Sequence, residues 1–244
     1  MGDNNRMRPE ETWDAFWKSY SFGKEYDCLS VDIFKQLLKA GGTFKDKNVL
    51  ECGSGTGKIS ALIAQDKGNA YLLDYSPRAI ELSKQFFNVQ NLHGNFSEAS
   101  MFAIPYADET FDMVWNSGVL EHFSEEKQRE ALLEMKRVCK RGGLIILINP
   151  FAYAYIYRLG KYCAEKTGKW LYGDEFPVKT LQKMTDTTSL ALVSEYSFGF
   201  YSQLNFLQYV PLCSVFKRII PLCVSEKLGQ SIFNGYLLMS VFVK

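Results

Sequence analysis

At 244 residues the chain is long enough to bury a substantial core, and it suits one α/β domain with additions or a domain with a small cap. Hydrophobic content of 47%, charged content of 23% and a formal net charge of +1 are ordinary for a globular protein, and they exclude global steering toward nucleic acid or an anionic membrane. Six scattered cysteines (Cys28, Cys52, Cys139, Cys163, Cys213, Cys223) with no C-x-x-C pair, and only two histidines, argue against a metal site and for reduced thiols in a cytoplasmic protein. Met1–Glu10 is polar and reads as loosely held, without a signal segment; Arg6 stands where myristoylation of Gly2 would need a hydroxyl. No stretch approaches the roughly 18 uninterrupted apolar residues of a membrane span. Trp13, Phe16, Trp17 and Tyr20 recur at i, i+3, i+4 and i+7, one face of a short helix that Gly23 ends. Leu29–Leu38 predicts a second amphipathic helix, stopped by Gly41-Gly42.

Residues 48–57 organise the rest. Val49 and Leu50, behind the turn signal Lys45-Asp46-Lys47, predict a strand buried on both faces. Gly53, Gly55 and Gly57 follow, and Ile59, Ala61, Leu62, Ile63 and Ala64 suit a helix over 58–65. Such a strand–loop–helix unit aims free N–H groups and the positive end of the helix dipole at whatever lies in the loop. A P-loop is excluded, because Cys52 holds its first glycine position and Ile59 its hydroxyl position. A dinucleotide fingerprint would need its third glycine where Lys58 stands. The acidic Glu51 also suits a cationic amine better than a pyrophosphate. The pattern Glu51-x-Gly53-x-Gly55-x-Gly57 resembles motif I of the class I S-adenosylmethionine-dependent methyltransferases.

Further along, 70–74 reads as the second strand, ending in Asp74 twenty-one positions after Gly53. In a doubly wound fold this carboxylate lies at the strand's carboxyl tip, where it can accept from both ribose hydroxyls. Ser76-Pro77 predicts a helix start, with an N-cap hydroxyl and proline at the first helical position. Residues 92–96 read as strand three and its exit. The family shows Gly-Asp there with the acid accepting from the adenine amino group; this chain has Gly94-Asn95, whose amide oxygen can accept the same bond. The resemblance thus implies an adenine region at Tyr75, Asn95 and Phe96.

The stretch Ile104–Phe123, with Pro105, Phe111-Asp112, Val114 and Leu120-Glu121-His122, resembles the "LPF-x-(D/E)-x-SFD-x-V…LEH" signature of small-molecule methyltransferases of the ubiquinone and type-11 kind. Met113-Val114-Trp115 is strand four; Asn116 and Ser117 stand at its carboxyl end, where open α/β sheets bind ligands. Ser124 predicts a helix cap with acidic residues in the first turn, and 144–148 a continuous buried strand five. The resemblance covers about residues 45–150, plus a final strand pair. Beyond lie two aromatic insertions (151–176 and 200–224), a helix over 177–184, strand six at 191–198 and a last strand at 236–243.

The resemblance implies a Rossmann-like, doubly wound seven-stranded sheet, with 1–44 as a helical lid, 45–150 as the cofactor core, and 151–244 as substrate cap plus closing strands. It implies S-adenosylmethionine as cofactor and S-adenosylhomocysteine as product, held by Glu51, Gly53, Ser54, Gly55, Gly57, Asp74, Tyr75, Asn95, Phe96, Asn116 and Ser117. Methyl transfer needs aligned reactants and excluded water more than a fixed catalytic motif, so the acceptor is less legible. His122 is the general-base candidate. Trp13, Trp17, Tyr20, Tyr153 and Tyr157 are the substrate-binding candidates, for a partly apolar or aromatic small acceptor. Nothing resembles a base-stacking nucleic-acid platform. A nicotinamide oxidoreductase, a non-catalytic scaffold on the same fold, and peripheral membrane action through 200–224 are the competing readings; oligomeric state and the atom methylated stay open.

Overall fold

The computed structural model describes residues 9–244, with side chains from Thr12 onward. The expected looseness of Met1–Glu10 falls largely on residues 1–8, outside the described range. Helices α1 (Pro9–Ser19) and α2 (Cys28–Gly41) precede the sheet; Asp27 caps α2, its carboxylate accepting from Ser30 N at 2.8 Å. The core then alternates β1 (Asn48–Cys52), α3 (Lys58–Gln65), β2 (Asn69–Asp74), α4 (Pro77–Val89), β3 (Asn95–Glu98), β4 (Phe111–Ser117), α5 (Glu125–Val138) and β5 (Cys139–Pro150). A 3₁₀ turn, Leu120–His122, lies between β4 and α5. Helix α6 (Tyr155–Lys166), the short α7 (Met184–Thr188) and β6 (Ala191–Phe198) follow. Next come α8 (Phe200–Gln203), a 3₁₀ turn Leu204–Tyr209, α9 (Phe216–Cys223), α10 (Glu226–Phe233) and β7 (Leu237–Val243).

The seven strands form one sheet in the order β3-β2-β1-β4-β5-β7-β6, parallel except for β7, which runs antiparallel to both β5 and β6. Both faces are covered, as apolar strands without alternation require. Leu50, Val114 and Ile145 pack with Leu132 and Met135 of α5 on one face; Val49, Trp115 and Ile146 pack with Ile33 and Leu37 of α2 on the other. Strand order reverses at the β1/β4 boundary, so the carboxyl ends of these two strands open the crevice where ligands bind in such sheets.

Local chemistry sets the helix starts. Ser76 Oγ accepts from Ala79 N ahead of Pro77, and Ser124 Oγ accepts from Lys127 N ahead of Glu125 and Glu126. Elsewhere the expected boundaries shift. Strand three begins at Asn95 rather than Leu92, because Tyr71 pairs with Asn95 and Asp74 with Glu98. The helix expected over 177–184 is replaced by irregular chain and α7, while the aromatic run after 154 forms the unforeseen α6. Among the described residues no helix is long and apolar enough to cross a membrane.

Candidate functional site

β1 delivers Glu51 and the glycine loop to the crevice. The loop is pinned to β2: Gly53 N and Ser54 N both donate to Leu73 O, at 2.7 and 3.1 Å. Gly53, Gly55 and Gly57 all have positive φ, a region costly for residues with a Cβ. At Gly55 a second reason adds to the first. A Cβ there would stand 2.8 Å from the Trp17 ring, so α1 rests directly on the loop. Gly57 admits Leu72 and Ser83 equally closely, and Ser83 Oγ donates to Gly55 O at 2.8 Å.

Asp74, 4% exposed, closes the loop from the β2 side. Its Oδ2 accepts from Gly55 N at 2.9 Å and its Oδ1 from Ser76 N at 3.0 Å, and burial raises its carboxyl above the usual range. Glu51, equally buried, accepts from Ser60 Oγ at 2.5 Å. Burial, with the nearby Asp74 charge adding to it, pushes Glu51 up to about 8. A proton held near neutrality on such a group exchanges readily for a ligand's cation. Ser54 Oγ is buried at the cavity wall without a hydrogen-bond partner among the described residues.

From this loop a continuous cavity of about 1160 Å³ runs toward the later insertions. Its far wall is a chain of rings. Trp13 stacks on Trp17 at 6.0 Å and reaches Tyr172 at 6.1 Å; Trp170 contacts Tyr172 at 5.1 Å and Phe206 at 6.3 Å; Phe206 meets Tyr236 at 5.1 Å. The Leu120–His122 turn forms the floor, and the segment before β6 is strapped to it. Asp174 O lies 2.6 Å from His122 Nδ1, and Phe176 N donates to Glu121 O at 2.9 Å. These two bonds flank Glu175 and bring its carboxyl beside that of Glu121.

The floor is chemically unusual. Glu121 is 1% exposed, lines the cavity, and its Oε2 has no hydrogen-bond partner among the described residues. Burial, reinforced by Glu175, raises it far above the ordinary carboxyl value. Glu175 is pushed up to about 8 by burial and accepts from the Tyr157 hydroxyl. Burial lowers His122 from the ordinary imidazole value, which favours the neutral ring. Its Nδ1 faces a carbonyl and must carry the ring proton, so Nε2 is the basic nitrogen.

Comparison with known proteins can now be set beside this geometry. Residues 50–147 match a family described as "Methyltransferase domain". Over that stretch the chain is similar to methyltransferase domains. An uncharacterized protein of Mycobacterium tuberculosis is 32% identical over 139 residues, 57% of this chain and 50% of that one. The ubiquinone/menaquinone biosynthesis C-methyltransferase UbiE of Citrobacter koseri is 26% identical over 145 residues, 53% of this chain and 57% of that one. The chain thus spans about half the length of the curated relatives it matches. Among solved structures, geranyl diphosphate C-methyltransferase of Streptomyces coelicolor superposes with a TM-score of 0.67 at 11% identity, covering 97% of this chain and 98% of that one; the likeness is one of fold.

Glu51, Gly53, Ser54, Gly55, Asp74, Tyr75 and Ser117 converge on the cavity, with Trp17 against the loop and Trp13 and His122 together farther along it. Other expected residues do not reach it. Gly57 lies behind the loop, against Leu72 and Ser83. Asn95 and Phe96 sit at the start of β3, level with Tyr71 and Leu72; Asn95 Nδ2 faces Ala70 O, and Phe96 packs edge-on against Phe87 of α4. The chain that does reach the cavity beyond Asp74 is Ala99–Phe102, past the strand's carboxyl end. Asn116 is fully buried on the α5 side, with Nδ2 4.0 Å from Met135 Sδ. Tyr20 packs against Phe16 and Trp17 outside the cavity, Tyr153 is 44% exposed, and Tyr157 stands behind the wall, its ring against Phe206 and Tyr236 and its hydroxyl on Glu175.

Glu121, Glu175, Trp170, Tyr172, Phe206 and Tyr236 were not singled out as site residues by sequence reasoning. Glu121 had a signal, its place at the carboxyl end of β4; the others lie in insertions whose folding no local pattern reveals.

Proposed function

We propose that this chain transfers a methyl group from S-adenosylmethionine to a small acceptor with an apolar or aromatic body and a polar end. The reading rests on one observation above all: a single cavity joins the glycine loop and Asp74 to an aromatic chamber floored by Glu121, His122 and Glu175. The residues fit the cofactor. A glycine-rich loop admits a close ligand, Ser54 Oγ lacks a partner among the described residues, and Asp74 stands at the cavity wall with its carboxylate positioned by Gly55 N and Ser76 N. When bound, S-adenosylmethionine supplies an electrophilic methyl group on a sulfonium and leaves as S-adenosylhomocysteine.

The remaining work falls to the chain. Glu51 releases its proton and pairs with the ammonium of the methionine end. Asp74 orients the ribose, while Tyr75 and Ala99–Phe102 enclose the base. Trp13 and Trp17 exclude water and align the acceptor between the loop and the aromatic wall. Where the acceptor atom must shed a proton, His122 Nε2 is the group to receive it, and Glu121 meets the acceptor's polar end. Domain boundaries follow: 1–44 covers the site, 45–150 holds the cofactor, and 151–244 supplies the acceptor wall and the closing strands. UbiE is named for ubiquinone and menaquinone biosynthesis, and an apolar ring compound of the quinone kind is an acceptor such a chamber suits. With all six cysteines unpaired, we place the protein in the cytoplasm.

Isothermal titration with S-adenosylmethionine, S-adenosylhomocysteine and NAD tests the reading. Micromolar binding of the two adenosyl ligands alone is expected. Binding of NAD alone would sink it, and binding of none would favour a scaffold on the same fold.

A further inference from the structure

The segment between the aromatic wall and α10 leaves apolar side chains uncovered. Leu212 is 95% exposed and Leu222 84% exposed, and Val215, Phe216 and Ile219 are exposed as well. α9 contains no buried residue. Its inner side, through Ile220 with the adjoining Val224, rests on a small cluster of Phe200, Leu204 and Leu207. A helix apolar on two sides, with only one of them packed, presents a patch built for something other than water.

The charges select the occupant. Between Glu195 and Glu226 the chain holds no acidic residue, while Lys217 and Arg218 stand side by side in α9. A second copy meeting this face would double its cations and bring no acidic residue from 196–225 to pair with them. An anionic lipid surface satisfies both features at once, taking the apolar side chains into the headgroup boundary and neutralising the cations. We propose that residues 210–224 dock the protein on an anionic membrane surface.

The position of the patch gives docking a purpose. Lys217 lines the cavity, together with Gln208 and Tyr209 of the preceding turn. The docked face therefore adjoins the cavity wall. Resting on the transferase reading, the acceptor is a molecule of the lipid phase that enters from the bilayer side, while the polar cofactor reaches the loop end.

Co-sedimentation of the full chain with phosphatidylcholine vesicles, with and without phosphatidylglycerol, tests the proposal. The chain is expected to pellet with the anionic vesicles and to lose that binding in high salt. Leu222→Asp and Leu212→Asp should weaken it about tenfold or more, and Arg218→Gln about fivefold. S-adenosylhomocysteine titrated into the same samples should bind parent and variants alike, which separates a lost surface from a lost fold. Supernatant recovery with both vesicle types, or variants that pellet like the parent, would overturn the proposal. So would a dimer in light scattering that Leu222→Asp dissolves, since that assigns the patch to a second copy. Vesicle binding without S-adenosylhomocysteine binding would uphold docking and sink the transferase reading; the reverse would overturn docking alone.

Discussion

The two ends of the cavity are built by different means. At the glycine-loop end, regular strands place backbone groups: Leu73 O holds the loop, Gly55 N and Ser76 N hold Asp74, and each polar contact belongs to an element of the parallel sheet. At the aromatic end, loops and short helices place side chains, and Oε2 of the buried Glu121 has no hydrogen-bond partner among the described residues. One end is a consequence of the fold and the other is an addition to it. The first can therefore stay constant while the second is remade for another acceptor, which is how one fold hosts many chemistries.

The contrast can be broken most directly at Asp74. Asp74→Ala removes a carboxylate that organises the loop and, on the proposed reading, the ribose site, and S-adenosylhomocysteine affinity should fall about 100-fold or more by titration. Asp74→Asn, which keeps one acceptor oxygen, should fall about tenfold. Equal affinities in parent and Asp74→Ala would show that the ligand is held elsewhere.

Gly55→Ala comes next. It forces a Cβ into a positive-φ position and against Trp17, so affinity should fall about tenfold and stability by about 1–2 kcal/mol in urea unfolding. An unchanged affinity would mean that α1 does not rest on the loop in solution.

At the other end the expected effect is on stability rather than affinity. The folded chain keeps a proton on Glu175, as it does on Glu51 at the loop end, up to about pH 8, whereas the unfolded chain releases them near 4.5. Folded-state pKa values above the unfolded ones mean stability present at low pH and lost as pH rises from about 4.5 toward 8. Glu121 is raised in the same direction. Glu121→Gln should therefore match the parent near pH 4.5 and exceed it by about 2–4 °C in melting temperature at pH 8. S-adenosylhomocysteine affinity should stay within about twofold, since Glu121 belongs to the acceptor end. A variant less stable than the parent at pH 8 would mean that Glu121 has a partner when charged. The smallest effect is expected at Tyr153, which faces solvent: Tyr153→Ala should alter neither melting temperature nor affinity measurably.

The same division governs what the sequence makes legible. Glu51, the glycines and Asp74 could be read because a strand–loop–helix unit fixes where such residues stand, whatever the rest of the chain does. Asn95 and Phe96 were misplaced because strand three is short and its register depends on pairing with Tyr71–Asp74, which no local pattern reports. Asn116 failed for a related reason, since successive residues of a strand point to opposite faces and Ser117, not Asn116, turned toward the cavity. Tyr153 and Tyr157 were chosen from aromatic content alone. Composition records that an aromatic wall exists, but not that Trp170, Tyr172, Phe206 and Tyr236 are the rings that make it.

α1 links the two ends, and this has a kinetic consequence. Trp17 rests on the glycine loop and Trp13 meets the His122 ring at 5.2 Å, one helical turn away. A helix that roofs both compartments cannot lift from one without loosening the other. The two ligands should therefore not exchange independently: turnover is expected to follow a compulsory order, with the helix settling only on a filled loop and rising once per cycle.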